Sequence, residues 1–212
     1  SGSNYGYYVG ADVTTHRGIG FAVQEGTVGS LGQGIIYVYF APGAEALTTT
    51  AVTPGVWEHI VFVCDKTVGS YGEIKLYRNG ILDTATTLAS ADLNNLTEIE
   101  HIGSNGYNPH PYIGNLSNVA IWSSHLTEDQ ILTIYNGGVP NSLSSLSPVS
   151  WWSLAGDSYF DGTNWICPDL GSGSNNGTST GMGGTELVGD GPGSTANGIA
   201  TSMDIPANLK GN

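Results

Sequence analysis

Basic side chains are scarce in this sequence. Five Lys and Arg stand against 18 Asp and Glu, a formal net charge of -13 over 212 residues. Binding a phosphate backbone needs clustered Lys and Arg, because each neutralised phosphate releases counterions. No such cluster exists, which argues against a nucleic-acid partner. An anionic membrane surface is disfavoured on the same ground. Long apolar runs are missing too. No stretch approaches the ~20 residues a membrane helix requires, so no membrane insertion is expected, and no segment reads as a signal peptide. Cysteine appears twice, as Cys64 and Cys167, which is too few for a disulfide framework. The two could pair or stand as separate thiols, so the redox compartment stays open. Catalytic signatures are absent as well. There is no nucleophile elbow, no HExxH helix and no phosphate loop.

What is present is glycine, at 32 residues, with charged residues at only 11%. That composition fits short strands joined by tight turns, not helices rich in Glu, Lys, Leu and Ala. Aromatic or β-branched runs bounded by glycine predict strands at Tyr5 to Val9, Ile19 to Gln24 and Ile35 to Phe40. Val56 to Cys64 is nearly continuously apolar and predicts a central strand covered on both faces. Ile74 to Ala85 contains Asn79-Gly80 between alternating runs, which predicts a type I′ hairpin because both turn residues need positive φ. Ile99 to Ile102 and a long strand over Tyr112 to Trp122 follow.

One helix is expected over about 127–137. Thr127 and Gln130 form a capping box. Glu128 and Asp129 suit the positive end of the helix dipole, and Gly137 is the expected left-handed terminator. A Ser-rich link leads to a strand over Val149 to Leu154, where alternation sends Trp151 and Trp152 to opposite faces. Residues 171–212 are rich in Gly, Ser, Thr and Asn. They are expected to be weakly ordered unless docked on the sandwich or a neighbouring subunit.

These elements carry a resemblance. Trp57-Glu58-His59-Ile60-Val61, Asp65 with Ile74 to Gly80, Ile102-Gly103-Ser104, Gly114 to Trp122, and Leu126 to Asn136 occur in the order found in laminin G-like domains. The sequence resembles that concanavalin A-like family over roughly residues 5–140. The resemblance implies an all-β jelly-roll sandwich with one short helix and a Gly/Ser-rich C-terminal extension. It implies a division into a sandwich over 1–140, a linker and completing strand over 141–170, and an extension over 171–212. Ser117 and Asn118 stand where the family usually has acidic residues. The family's opening pattern appears late, at Trp151 to Leu154 and Gly171 to Gly177. This implies a fragment of a longer protein, a permuted sandwich, or closure by a neighbouring chain. The C-terminal stretch with Val188 to Ser194 and Met203 to Ala207 is similar to laminin G-like virion proteins of marine phages. That similarity implies a structural or decoration role on a virion or extracellular surface, with other copies of itself or other virion proteins as partners.

Glycosidases of this fold place two carboxylates on one strand face. The one echo is Glu98-Ile99-Glu100, which lacks the third carboxylate, so no catalytic residue is expected. Sugar binding needs an aromatic face beside amide and carboxylate groups. Asn105, Tyr107, Asn108, His110 and Tyr112 supply that composition in one loop and are the candidate glycan contacts; a Pro-stiffened turn packed on the sandwich is the plainer alternative. No cofactor is required. Calcium is a possible ligand because oxygen-rich rim loops suit a hard cation, and Asp157, Asp161 and Asp169 are the candidate ligands, with Asp65 and Asn105 as further options. Turn formation explains the same residues. The five histidines are dispersed, and His59 reads as a packed strand residue. Asn95, Asn115 and Asn176 head glycosylation acceptor triplets that matter only in a secretory host.

Overall fold

The computed structural model describes residues 5–10, 19–24, 34–40, 44–88, 101–104, 112–179, 181–185 and 191–192. The chain divides into two units, Ser1–Tyr112 and Ile113–Asn212. The division falls inside the stretch that the sequence pattern assigns to one sandwich.

The first unit contains β1 (Tyr5–Gly10), β2 (Ile19–Gln24), β3 (Ile36–Phe40), β4 (Ala44–Leu47), β5 (Ile60–Asp65), β6 (Glu73–Arg78), β7 (Ile81–Thr87) and β8 (His101–Ile102). Five of them form an antiparallel sheet in the order β4-β3-β2-β1-β8. Its register lines up Val9, Phe21, Val38 and Ala46 across four strands, and all four are buried. A one-residue slip would turn this row to the other face, so the apolar pattern fixes the pairing. The other sheet is β5-β6-β7. There Ile74 and Leu76 are fully buried, opposite Cys64 and Phe62 on β5. Phe62 meets Phe21 edge-on, with ring centroids 5.1 Å apart, so the two sheets pack face to face through aromatic side chains.

Polar ties reinforce the packing. Asp83 on β7 accepts from the Thr49 amide and hydroxyl just beyond β4, at 2.7 and 2.9 Å. The Asn79-Gly80 turn has φ of +50° and +78°, as the I′ hairpin requires. Asn79 also exchanges bonds with His59. Its amide donates to the His59 carbonyl at 2.8 Å, and its side-chain oxygen accepts from the His59 amide at 3.0 Å.

Two expectations change here. The strand predicted over Val56 to Cys64 starts only at Ile60, and Val56 is 60% exposed. Within β5 only Val63 is buried, because β5 borders its sheet among the described strands. Continuous apolarity was therefore not a sign of cover on both faces. Strand β4, whose Ala-Glu-Ala-Leu pattern gave little β signal, is an addition.

The described residues of the second unit form α1 (Glu128–Tyr135) and five short strands: β9 (Val119–Ile121), β10 (Ser150–Trp152), β11 (Tyr159–Phe160), β12 (Trp165–Cys167) and β13 (Gly177–Thr178). The capping box forms as the sequence predicts, with Thr127 and Gln130 each bonding the other's backbone amide. Ile131 and Ile134 bury the helix face. Termination differs by one residue. Asn136 already takes the left-handed conformation, φ +45°, which its short polar side chain tolerates, and Gly137 and Gly138 continue with positive φ. The long strand expected over Tyr112 to Trp122 is confined to Val119–Ile121, since Asn118 at φ +51° breaks the extended run.

Strand β10 pairs antiparallel with β9, Trp151 opposite Ala120. The late-occurring opening pattern thus supplies β10, which pairs with β9 of the same unit. Trp152 is buried and Trp151 half-buried, on opposite faces as alternation predicts. Strands β11-β12-β13 make a separate small sheet. Residues 171–179, expected to be weakly ordered alone, are ordered here by the bonds described next.

Candidate functional site

The predicted sugar-contact loop begins and ends on described residues. Gly103, φ +78°, donates its amide to the Tyr8 carbonyl and accepts from the Tyr112 amide, each at 2.8 Å. Residues 103 and 112 are therefore pinned to each other and to β1. Such short closed loops are a frequent place for binding groups. Asn105, Tyr107, Asn108 and His110 lie outside the described residues. Tyr112 is half-buried. Its ring packs on Tyr8 at 4.8 Å, and Tyr8 packs on Phe21 at 5.2 Å. With Phe62, four rings run from the loop's end to the second sheet. Tyr112 is thus the anchor of the loop, tied to the core by tilted ring contacts.

A guanidinium-centred cluster sits at the far end of β6. Arg78 donates through Nε and Nη2 to Glu58 Oε2 at 3.0 and 2.6 Å. Its Nη1 reaches the Thr50 carbonyl and hydroxyl at 2.8 and 2.6 Å. Glu58 Oε1 accepts from the Thr53 amide at 3.0 Å. The pair is nearly covered, with side-chain exposures of 14% and 8%. Every group has a partner, so the cluster fixes the 50–58 loop and leaves no vacancy for a ligand.

The three predicted calcium ligands are each engaged in folding. Asp161 Oδ1 accepts from the Thr163 and Asn164 amides, both at 2.8 Å, and closes the β11–β12 turn, in which Gly162 supplies φ +103°. Those amide bonds hold its carboxyl below the usual carboxylate range. Asp169 accepts from the amides of Trp151 (2.8 Å), Gly171 (2.8 Å) and Asn175 (2.9 Å). Burial pushes its carboxyl up, but these amides together with the Ser150 hydroxyl outweigh that and hold it low. Asp157 accepts from the Ser153 hydroxyl. Among the described residues no group of three or more His, Cys, Asp or Glu could hold a metal ion, so the structure does not gather the three into one cluster. Asp65, the other described option, accepts from the Thr67 amide and hydroxyl.

The acidic pair Glu98 and Glu100 lies outside the described residues, as do His16 and His110. His59 is half-buried in the entry to β5, and burial lowers its pKa to about 4, so it is neutral at pH 7. Cys64 and Cys167 are both free. Burial pushes Cys64 up to about 12, against a smaller opposite pull from Lys66, and raises Cys167 as well. Both stay protonated and unreactive near neutrality.

Two features had no sequence signal strong enough to be predicted. The Tyr8–Phe21–Phe62 ring series needs three strands brought together from distant positions. The exposed Tyr159 on β11 lies in a strand of two residues, too short to show a period.

A family model described as the concanavalin A-like lectin/glucanases superfamily matches residues 2–132. No curated protein matches the chain. Among solved structures, a candidate carbohydrate binding protein from Bacteroides ovatus aligns with a TM-score of 0.61 at 17% identity. The alignment covers 98% of this chain and 52% of that one, so the chain spans about half its length. An S-layer domain-containing protein from Clostridium thermocellum aligns with a TM-score of 0.30 at 16% identity, over 64% of each chain. No helix among the described residues is long and apolar enough to cross a membrane.

Proposed function

For a chain that belongs to the concanavalin A-like lectin/glucanases superfamily, we propose a non-catalytic, lectin-like role in which the 105–112 loop contacts a glycan. The observation that carries this reading is the closed loop base. Gly103 and Tyr112 bond each other, and the Tyr112 ring packs at a tilt on a ring series rooted in the sheets. A rigid base lowers the ordering cost of presenting Asn105, Tyr107, Asn108 and His110 to a ligand. The carbohydrate-binding description of the Bacteroides ovatus protein supports the same ligand class. No acid and base pair of the glycosidase kind is offered by the sequence, so binding without cleavage is the natural use of the fold. A glycan array run with and without calcium tests the reading. Saccharide binding without hydrolysis is the expected result. An array with no hits in either condition overturns the lectin reading, and release of reducing sugar overturns the non-catalytic one.

The second reading is a structural module of a virion or extracellular surface assembly. It is favoured by the phage-like composition near Val188 to Ser194 and Met203 to Ala207, which falls mainly outside the described residues. An acidic, Lys-poor surface suits an exposed particle in salt water. Light scattering tests it. A stable homo-oligomer supports an assembly role, and a clean monomer counts against it.

A further inference from the structure

We propose that the outward face of the β11–β12–β13 sheet is a second saccharide-binding surface, centred on Tyr159 and taking neutral sugars. The inference rests on the lectin-like reading and adds a site in the second unit that the first does not contain.

The sheet is one-sided. Phe160 pairs with Trp165, and Cys167 with Gly177. Trp165 and Cys167 are buried, the Phe160 and Trp165 rings touch at 5.8 Å, and the Trp165 indole donates to the Gly183 carbonyl at 2.7 Å. The alternate residues form the other row. Tyr159 pairs with Ile166 and Ile166 with Thr178. Tyr159 is 55% exposed, Ile166 is half-buried and Thr178 exposed. Tyrosine offers a large rigid apolar face with a polar tip at small entropic cost, which suits it to reversible binding. The tryptophans of this unit are less available, being half-buried or buried with each indole nitrogen bonded within the fold.

By strand alternation, hydrogen-bonding groups share this side of the sheet. Asp161 lies two residues beyond Tyr159 on the same edge of the hairpin. Its Oδ1 is used by the turn amides, which leaves Oδ2 to accept from a hydroxyl. Asn176 uses its side-chain oxygen on the Asp169 amide at 3.0 Å, which leaves its NH2 to donate. The Thr178 hydroxyl can do either. The strands are held by the turn and by Asp169, so the groups are presented in fixed positions.

Charge selects the ligand. No Lys or Arg occurs from residue 79 to residue 209. Strands β11 to β13 therefore bring no Lys or Arg to a sulfated or carboxylated sugar, and Asp161 repels it. A neutral oligosaccharide lying across the three strands, with one pyranose face on Tyr159 and hydroxyls of neighbouring units toward Asp161 and Thr178, matches what is presented.

The test uses the full chain titrated calorimetrically with cellohexaose, laminarihexaose, mannohexaose and xylohexaose, with a heparin hexasaccharide as the anionic arm. Three variants accompany it: Tyr159→Ala, Tyr159→Phe and Thr178→Val. Tyr159→Ala is expected to weaken binding of a neutral hexasaccharide about tenfold or more, and Tyr159→Phe to keep it within about threefold. Thr178→Val is expected to fall between them. Thermal melting should be unchanged in all three, since the row is on the surface. Wild-type affinity in Tyr159→Ala, or a preference for the heparin fragment, overturns this surface while the lectin reading stands. A wild type that binds none of the hexasaccharides overturns both.

Discussion

The two units of this chain hold their backbones in different ways. In Ser1–Tyr112 the strands run four to seven residues, β8 excepted, and cross-strand rows of apolar side chains set the register. Among the described residues of Ile113–Asn212 no strand exceeds three residues. There the backbone is held by side chains, with Asp169 taking three amides and Asp161 two. A long ladder saturates its own donors and acceptors, and its stability then scales with buried area. A short-strand region leaves amides over, and Asp and Asn are the residues able to collect them. The contrast teaches that ordered and strand-rich are separate properties.

Arg78→Met should give the largest effect and strike the first unit. It leaves Glu58 as a covered, uncompensated carboxylate and strips donors from Thr50 and Ala51. Losing one partner of such a pair costs about 3–5 kcal/mol. Urea denaturation should show that loss, with hydrogen exchange accelerated at residues 58–79.

Gly171→Ala should be the counterpart in the second unit. An added Cβ would lie 2.6 Å from the Val149 carbonyl oxygen and 2.7 Å from Ser150 Cα. Backbone cannot yield as a side-chain tip can, so the cost is about 2–3 kcal/mol. Exchange should accelerate around residues 149–177 and stay unchanged at residues 60–87. Uniform acceleration would erase the distinction between the units.

Asp169→Asn should cost about 2 kcal/mol, the scale of losing charge-assisted bonds, and it should split the acid response. The Asp169 carboxyl is held low in the fold. Its stabilisation is therefore complete above the unfolded value of about 3.9 and is lost as pH falls through the lower folded value. His59 behaves differently. It is buried neutral with a pKa of about 4, so its protonation in the unfolded chain erodes stability from about pH 6.5 downward. The first unit should weaken in acid before the second. Urea midpoints followed from pH 7 to 3 should show it, with His59→Gln removing the early slope and Asp169→Asn the late one.

Asn79→Ala is expected to cost least, about 1–2 kcal/mol. It places a Cβ-bearing residue without a polar side chain at φ +50° and deletes the bond to the His59 amide. Its melt should drop by a few degrees while the hairpin persists.

The same contrast explains what the sequence made legible. Val9, Phe21, Val38 and Ala46 belong to runs long enough for a pattern to show, and Asn79-Gly80 has local chemistry that dictates its turn. The capping box of α1 is local in the same way. Unit two was read less well because β11, β12 and β13 carry only two or three residues each. Their order comes from Asp169, whose partners are two, six and 18 residues away. The overestimate of β5 has a different cause: apolarity reports what a strand can bury, and Ile60 to Cys64 is only half covered. Of the candidate site, Tyr112 and the three aspartates could be placed. For each aspartate, turn formation was the alternative already visible in its neighbours.

The indoles offer an optical consequence. Of five tryptophans, Trp122, Trp151, Trp152 and Trp165 all fall in Ile113–Asn212, and only Trp57 in the first unit. Those four donate to Leu146, Asn118, Asn175 and Gly183. Intrinsic fluorescence excited at the red edge is therefore a native beacon for one half of the chain. Its emission wavelength will follow the loosening of the loop-tied unit and stay nearly blind to the sheets of the other.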